Sequence, residues 1–145
     1  MVEGRRQAPN SRIMNLFVSG PLMFVELVKA LTNQSFPSKF GQLHGYAQFV
    51  LQDEGQSAMI PFPDRHVDGV IYLDVDEASL ARFDAYQGKR FVREEVSIEG
   101  EGGEWLEASA YCMKLSRKSL LSGDEWSEDI FRENFLKEEL KSCRK

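Results

Sequence analysis

The chain has 145 residues, a net charge of −5, 42% hydrophobic residues and 28% charged residues. This length fits one domain with a sizeable core, and the composition is ordinary for a globular protein in water. Basic residues are scattered, which argues against a nucleic-acid partner, because phosphate binding needs a clustered basic surface. No apolar run approaches the roughly eighteen residues of a membrane span, so we expect no membrane partner.

The N-terminal residues 1–14 are polar, without periodicity and without the apolar stretch of a secretory signal. We predict a flexible tail there, followed by one domain over residues 15–145. Cys112 and Cys143 belong to no CxxC pair, and with His44 and His66 they match no zinc spacing. The cysteines therefore predict reduced thiols in the cytoplasm and no metal site.

The first half of the chain predicts two strands around a helix. Residues Asn15–Val18 form a short apolar run that ends at Gly20-Pro21, and a helix with an apolar face is expected from Leu22 onward. Residues 33–40 are typical of a loop, and residues 41–52 of a second strand bent at its glycines. Residues 57–69 contain so many prolines and glycines that we expect no regular structure.

The second half predicts a strand, a helix, a hairpin and a final helix. Residues 68–76 alternate with period two, Asp76 suits a helix N-cap, and Gly88 suits the end of that helix. Two strand-like runs joined by "EGEGGE" predict a hairpin. Ser122 and Glu125 resemble a capping box before an amphipathic helix whose apolar side carries Trp126, Ile130, Phe131, Phe135 and Leu136. This order predicts an α+β fold with a mixed or antiparallel sheet.

Three segments in register resemble the gamma-glutamylcyclotransferase-like proteins, including the plant avirulence-induced-gene relatives. They are "LFVSGPLM", "VDGVIYLDVDEASLARFDAYQGKRFVR" and "EWSEDIFRENFL". The family has Tyr-Gly-Thr-Leu or Tyr-Gly-Ser-Leu after its first strand. It then has Asp-Gly-x-x-Tyr, Leu-Asp-x-x-Glu-Gly and Tyr-x-Arg. The order matches over residues 15–115, and the three pieces together are more specific than any one alone.

The resemblance implies a small β-barrel flanked by helices, with a pocket for an amino-acid-derived ligand at one end. It also implies a reaction without a cofactor. The free α-amine of a γ-glutamyl group attacks its own side-chain carbonyl, 5-oxoproline forms and an amine leaves. Proximity of the two groups assists the attack, and one carboxylate moves the proton.

The loop after the first strand departs from the family pattern. In the family its backbone N–H groups meet the substrate carboxylate, and the matching residues here are Ser19, Gly20, Pro21 and Leu22. Gly20 keeps the close approach, Pro21 has no N–H, and Ser19 replaces an aromatic wall. The alternative is a purely structural turn with proline at the start of a helix. We favour a substrate-binding loop.

The family's catalytic glutamate falls on Gln87 of "FDAYQG". A carboxylate can accept a proton from the attacking amine and return it to the leaving nitrogen, whereas an amide only hydrogen-bonds. General acid–base catalysis contributes about 10²- to 10⁴-fold, so we expect Gln87 to nearly silence the reaction.

Three neighbours of Gln87 complete the candidate site. Phe91 and Arg93 occupy the positions of the family's tyrosine and arginine, and both are expected to bind substrate. Arg93 either holds a ligand carboxylate or pairs with Glu95 on the same strand face. Asp84 shares a helix face with Gln87 and is more plausible as a structural residue than as a replacement acid.

The sequence therefore favours a gamma-glutamylcyclotransferase-like domain of impaired activity that keeps a pocket for a small ligand. One alternative is a working enzyme of this fold with another proton shuttle. The other is an interaction module with a vestigial pocket, which exposed apolar residues on the last helix would favour.

Overall fold

The computed structural model describes residues 13–51, 57–114, 121–125 and 127–143. The strands are β1 (Ile13–Val18), β2 (Ser38–Leu51), β3 (Ser57–Asp76), β4 (Phe91–Gly100), β5 (Trp105–Met113) and β6 (Leu121–Glu125). The helices are α1 (Val25–Thr32), α2 (Glu77–Gln87), α3 (Glu128–Asn134) and α4 (Leu136–Cys143), and Gly20–Met23 form one 3-10 turn.

The sheet is mixed and curls back on itself. Its strand order is β3-β1-β5-β4-β2-β6, and a further pairing of β3 with β2 returns the sheet to its first strand. Strands β1 and β5 run parallel, with Leu16 opposite Ser109. The other pairs are antiparallel. The predicted α+β class, with a mixed sheet flanked by helices, is confirmed.

The core is divided because neighbouring residues of a strand point to opposite faces of the sheet. Leu16 and Val18 of β1 pack in a large cluster with helix residues such as Leu27 and Phe83. Phe17, between them, packs in a second cluster built only from strand residues. The strands thus enclose one core and present another to the helices.

Several local predictions are confirmed. Asp76 caps α2 by accepting a hydrogen bond from the Ser79 backbone N–H at 3.1 Å. Gly88 ends that helix with φ 84°, a conformation that glycine adopts without strain. Strands β4 and β5 form the predicted hairpin, with Phe91 opposite Met113 at its open end.

The prediction that residues 57–69 are irregular is wrong, because they belong to β3. The ladder to β2 passes from the pair His44–His66 to the pair Tyr46–Pro61. The intervening residues 62–65 have no partner on β2, opposite Gly45 at φ 84°. Proline is tolerated beside such an interruption because no ladder hydrogen bond is required of it.

The end of the chain also differs from its prediction. Ser122 lies in β6, and Ser127 caps α3 by accepting the Ile130 backbone N–H at 3.3 Å. The single amphipathic helix is instead two helices that break at Phe135, where φ is −131°. Phe131 and Leu136 are buried, whereas Ile130 and Phe135 are exposed. Trp126 lies outside the described residues.

The first strand begins earlier than predicted, and the first α-helix begins later. Residues 1–12 of the predicted tail lie outside the described residues, but Ile13 and Met14 already pair with Asp76 and Val75 of β3. The α-helix begins at Val25, which is exposed rather than on the buried face. In the part of the chain that the structure describes, no helix is long and apolar enough to cross a membrane.

Candidate functional site

The turn after β1 is tightly built around glycine. Gly20 has φ 82°, and a Cβ at this position would lie 2.8 Å from Gln48 Nε2 and closer still to Ser57 Oγ. Both the backbone angle and the lack of space therefore require glycine here. Pro21 is the second residue of the 3-10 turn, and its carbonyl accepts the Phe24 N–H at 3.1 Å.

Leu22 anchors this turn in the core. Its side chain is almost completely buried, and its carbonyl accepts a hydrogen bond from the Tyr72 hydroxyl at 2.8 Å. Burial raises the pKa of Tyr72 to about 12, so this donor keeps its proton at neutral pH. Tyr72 belongs to β3, so this hydrogen bond ties the turn to the sheet.

Ser19 and Gln87 line one cleft, although 67 positions separate them in the sequence. Gln87 reaches the cleft as the last residue of α2 and Ser19 as the residue between β1 and the 3-10 turn. The other polar residues of the cleft are Gln48, Ser57 and Tyr111, and its apolar wall is formed by Phe17, Val18, Ala58, Met59 and Phe91. No carboxylate is among these described lining residues.

The cleft is narrow. Its free volume is about 20 Å³, which is enough for one water molecule. Ser19 lines it, and the Ser19 hydroxyl is buried and has no hydrogen-bond partner in the described part of the chain. A buried hydroxyl without a partner is unfavourable, and such groups call for a water or a ligand.

Gln48 and Ser57 close the side of the cleft that faces Gly20. Gln48 Nε2 donates a hydrogen bond to Ser57 Oγ at 2.6 Å. The pair is diagonal across β2 and β3, because Gln48 stands opposite Met59 and Val50 stands opposite Ser57. The side chains of Gln48 and Ser57 therefore occupy the space that glycine leaves open at position 20.

Tyr111 connects the cleft to a partly exposed polar contact with Asp84 and Arg93. Its hydroxyl donates to Asp84 Oδ1 at 2.5 Å, and Arg93 Nε lies 2.9 Å from the same oxygen. Burial, the hydrogen bond to Asp84 and its negative charge raise the pKa of Tyr111 far above its usual range. Tyr111 therefore presents a neutral phenol to the cleft.

The structure brings only part of the predicted site together. Ser19, Gln87 and Phe91 line the cleft, and Gly20 borders it through Gln48 and Ser57. Pro21 and Leu22 belong to the turn, are buried, and are not among the lining residues.

Arg93 forms an ion pair with Asp84, at 2.9 Å, rather than with Glu95. It lines a separate surface depression with Met14, Asp84 and Glu95. Arg93 is not among the residues that line the cleft, and its role in holding a ligand carboxylate stays a prediction.

Sequence reasoning missed Gln48, Ser57 and Tyr111. Gln48 carried a usable signal, because it is polar within the apolar run Tyr46–Val50 of a predicted strand. Ser57 carried none, since its neighbourhood was expected to be irregular. Tyr111 lies in a predicted strand, where a tyrosine packs as readily as it binds.

A larger groove of about 510 Å³ lies on the outer face of β2, β3 and β4, beside Phe40, Asp68 and Glu99. Its carboxylates have neighbours: Gln42 Nε2 donates to Asp68 at 2.9 Å, and His44 Nε2 lies 2.8 Å from Glu99. Among the described residues, no three His, Cys, Asp or Glu side chains are grouped to hold a metal. The smaller cleft, with an unpartnered buried hydroxyl, is the stronger candidate site.

A family model and a named relative both match this chain. The family model described as "Gamma-glutamyl cyclotransferase, AIG2-like" matches residues 16–128. A protein of Methanocaldococcus jannaschii, named as a gamma-glutamylcyclotransferase and candidate RNase, is 28% identical over 102 residues. That match covers 69% of this chain and 46% of the relative, so the chain spans less than half of the relative's length.

Solved structures share the fold. A solution structure from Arabidopsis thaliana has a TM-score of 0.70 at 18% identity, covering 96% of this chain and 84% of that one. A structure titled gamma-glutamyl cyclotransferase has a TM-score of 0.63 at 14% identity, covering 88% of this chain and 99% of that one. At these identities the similarity concerns the fold alone.

Proposed function

Because this chain belongs to the gamma-glutamyl cyclotransferase, AIG2-like family, we propose that it binds γ-glutamyl compounds in the cleft between Ser19 and Gln87. We further propose that their cyclisation to 5-oxoproline is strongly slowed by the amide at position 87. The ligand is a small amino-acid derivative, and no cofactor takes part.

The chemistry explains why an amide at this position matters. The α-amine nitrogen forms a bond to the γ-carbonyl carbon, and the bond from that carbon to the leaving nitrogen breaks. One proton must pass from the attacking nitrogen to the leaving one. A carboxylate performs both transfers, whereas the Gln87 amide can only orient the reacting groups by hydrogen bonds.

One observation carries the proposal. The cleft combines the unpartnered buried hydroxyl of Ser19 with Gln87, and no carboxylate is among its described lining residues. The hydroxyl supports binding of a polar ligand, because it has no hydrogen-bond partner among the described residues. The lack of a carboxylate among the described residues of the cleft wall supports a slow proton transfer.

The binding half is tested by NMR titration of the unmodified protein with γ-glutamyl-alanine and with 5-oxoproline. We expect chemical-shift changes at the Gln87 side-chain amide and at the Ser19 and Gly20 backbone amides. The Gln42 amide, on the outer groove, is the internal control. Shifts at Gln42 alone, or at no residue, would contradict the proposal.

A working enzyme with another proton shuttle is the first alternative. Asp84 does not line the cleft and contacts it only through Tyr111. Its Oδ1 already accepts the Tyr111 hydroxyl and lies 2.9 Å from Arg93 Nε, so this oxygen is engaged inside the protein. We therefore assign Asp84 a structural role.

An interaction module is the second alternative. Ile130 and Phe135 of the last helices are exposed by 57% and 37%, as is Val25 of α1 by 69%. Such apolar residues are a feature of protein-binding surfaces when they are contiguous. Loss of all ligand binding in the titration would shift the weight to this alternative.

We also propose a cytoplasmic location. Cys112 and Cys143 are both free thiols. Burial is the main cause that raises the pKa of Cys112 to about 12, and the nearby negative charge of Glu94 adds to it. Free thiols of this kind are usual where the cell keeps cysteines reduced.

A further inference from the structure

The side chain of Gln48 lines the cleft close to Gly20, beside Ser57. Its Nε2 atom lies where a Cβ on Gly20 would be only 2.8 Å away. The same atom donates to Ser57 Oγ at 2.6 Å, and both residues line the cleft with Ser19 and Gln87. A close approach to backbone glycine is a device for ligand contact, and here a side chain of the protein makes it.

The chemical nature of this side chain is informative. Glutamine ends in a carboxamide on the γ-carbon, which is the group that a γ-glutamyl amide presents to the reaction. We propose that Gln48 stands in the free protein where the ligand's γ-carboxamide binds, so that a ligand enters only by displacing it. This inference rests on the proposed function and identifies the γ-carboxamide as the part of the ligand that the cleft recognises.

The space in the cleft supports this competition. With Gln48 in place the free volume is about 20 Å³, which a single water molecule fills. A γ-glutamyl group is much larger, so some group must leave before it binds. Gln48 is the polar side chain at the Gly20 border whose contacts a carboxamide ligand can reproduce, since Ser57 Oγ would accept the same N–H from the ligand.

The competition has a cost in affinity. A protein that binds only from a minor conformation shows a dissociation constant raised by the inverse of that population. Removing the competing amide should therefore tighten binding, although it deletes a polar group from the site. A residue that merely contacts the ligand would give the opposite result.

The test compares Gln48→Ala with Gln42→Ala. Both changes remove a glutamine amide from the same strand, but Gln42 lies on the outer groove. Titration calorimetry with γ-glutamyl-alanine should show binding about three- to tenfold tighter for Gln48→Ala, which corresponds to one hydrogen bond no longer displaced. Gln42→Ala should bind as the parent does.

A second variant guards against misfolding. Gln48→Ala leaves Ser57 Oγ without its partner, whereas the double change Gln48→Ala with Ser57→Ala removes both groups and avoids an unsatisfied hydroxyl. The double variant should bind γ-glutamyl-alanine more tightly than Ser57→Ala alone, because both lack the Ser57 acceptor and only the double variant lacks the competing amide. Acetamide and free alanine serve as probes of the two ligand halves, and only acetamide should share the gain.

The outcomes separate this inference from the proposed function. If the parent binds γ-glutamyl-alanine and Gln48→Ala binds equally or more weakly, Gln48 is not a competitor and this inference is overturned alone. If parent and variants all fail to bind, both proposals are overturned. A gain that appears equally in Gln42→Ala also overturns it, because the effect is then not local.

Discussion

The Tyr111 hydroxyl donates a hydrogen bond to Asp84 Oδ1 at 2.5 Å, and Asp84 lies one helical turn before Gln87 in α2. This contact joins β5 to the last turn of α2, and Arg93 of β4 holds the same carboxylate oxygen at 2.9 Å. Three elements therefore meet at Asp84. The contact positions the end of α2, and with it Gln87, against the cleft.

Tyr111→Phe should destabilise the protein by about 1.5 to 3 kcal/mol, because it removes a hydrogen bond to a charged group at a buried position. Urea unfolding at neutral pH measures the loss. The matched control is Ser97→Ala, which removes a hydroxyl that donates to Glu107 at 2.6 Å on the exposed face. Equal costs for the two variants would show that the Tyr111 contact is not a structural anchor.

Gly20→Ala should unfold at a lower urea concentration than Gly45→Ala. The two glycines have φ of 82° and 84°, so alanine meets a similar backbone penalty of about 1 to 2 kcal/mol at each. A Cβ at Gly45 meets no atom within 4 Å, whereas at Gly20 it collides with Ser57 and Gln48. The difference between the variants measures the collision, and a zero difference would mean that the turn has room for a side chain.

Stability should fall at alkaline pH. Burial raises the pKa of Cys112 from 9.0 to about 12 and that of Tyr72 from 10.0 to about 12. The unfolded chain releases these protons first. The stabilisation is therefore fully present below about pH 9 and is lost as pH rises through about 12.

The measurement is the urea midpoint at about pH 8 and about pH 10.5, on either side of the usual pKa of a cysteine thiol. Cys112→Ala removes one of the groups and should show a smaller fall between the two conditions than the parent. Net negative charge acts on both proteins alike. Parallel falls in parent and variant would contradict the assignment to Cys112.

The elements that sequence predicted well are those with strong local signals. Asp76 and Gly88 bracket α2 because a cap and a positive φ need particular residues. The hairpin of β4 and β5 follows from a glycine-rich turn between two strand-like runs. The strand Ile13–Val18 is short and apolar, as buried strands are.

The elements that could not be predicted from the sequence depend on residues that are distant along the chain. Residues 57–69 form a strand because β2 provides a ladder that tolerates the unpaired residues opposite Gly45. Ser127 rather than Ser122 caps α3 because Ser122 is already engaged in β6, beside the end of β2. Neither the β2 ladder nor the place of Ser122 in β6 can be read from the local sequence pattern.

The candidate site was predictable to a similar degree. The segments containing Ser19 and Gln87 could be identified through family resemblance, and they lie on one cleft. Gln48 and Ser57 enter it across a strand pair whose register is set by tertiary packing. The strand-face argument predicts that Arg93 pairs with Glu95, and it could not foresee that α2 places Asp84 within 2.9 Å of Arg93.

The central claim is that an amide at position 87 limits the reaction, and release of 5-oxoproline from γ-glutamyl-alanine by Gln87→Glu tests it most directly. The change restores a carboxylate with little change in volume, and Gln42→Glu makes the same change on the outer groove as a control. We expect Gln87→Glu to be faster than the parent and Gln42→Glu to match it.

The size of the gain separates the causes. A rise of about a hundredfold or more would mean that proton transfer was the sole defect. A smaller rise is what we expect, because the Gln48 side chain limits binding independently of the proton. A parent protein that already releases 5-oxoproline as fast as Gln87→Glu would contradict the account.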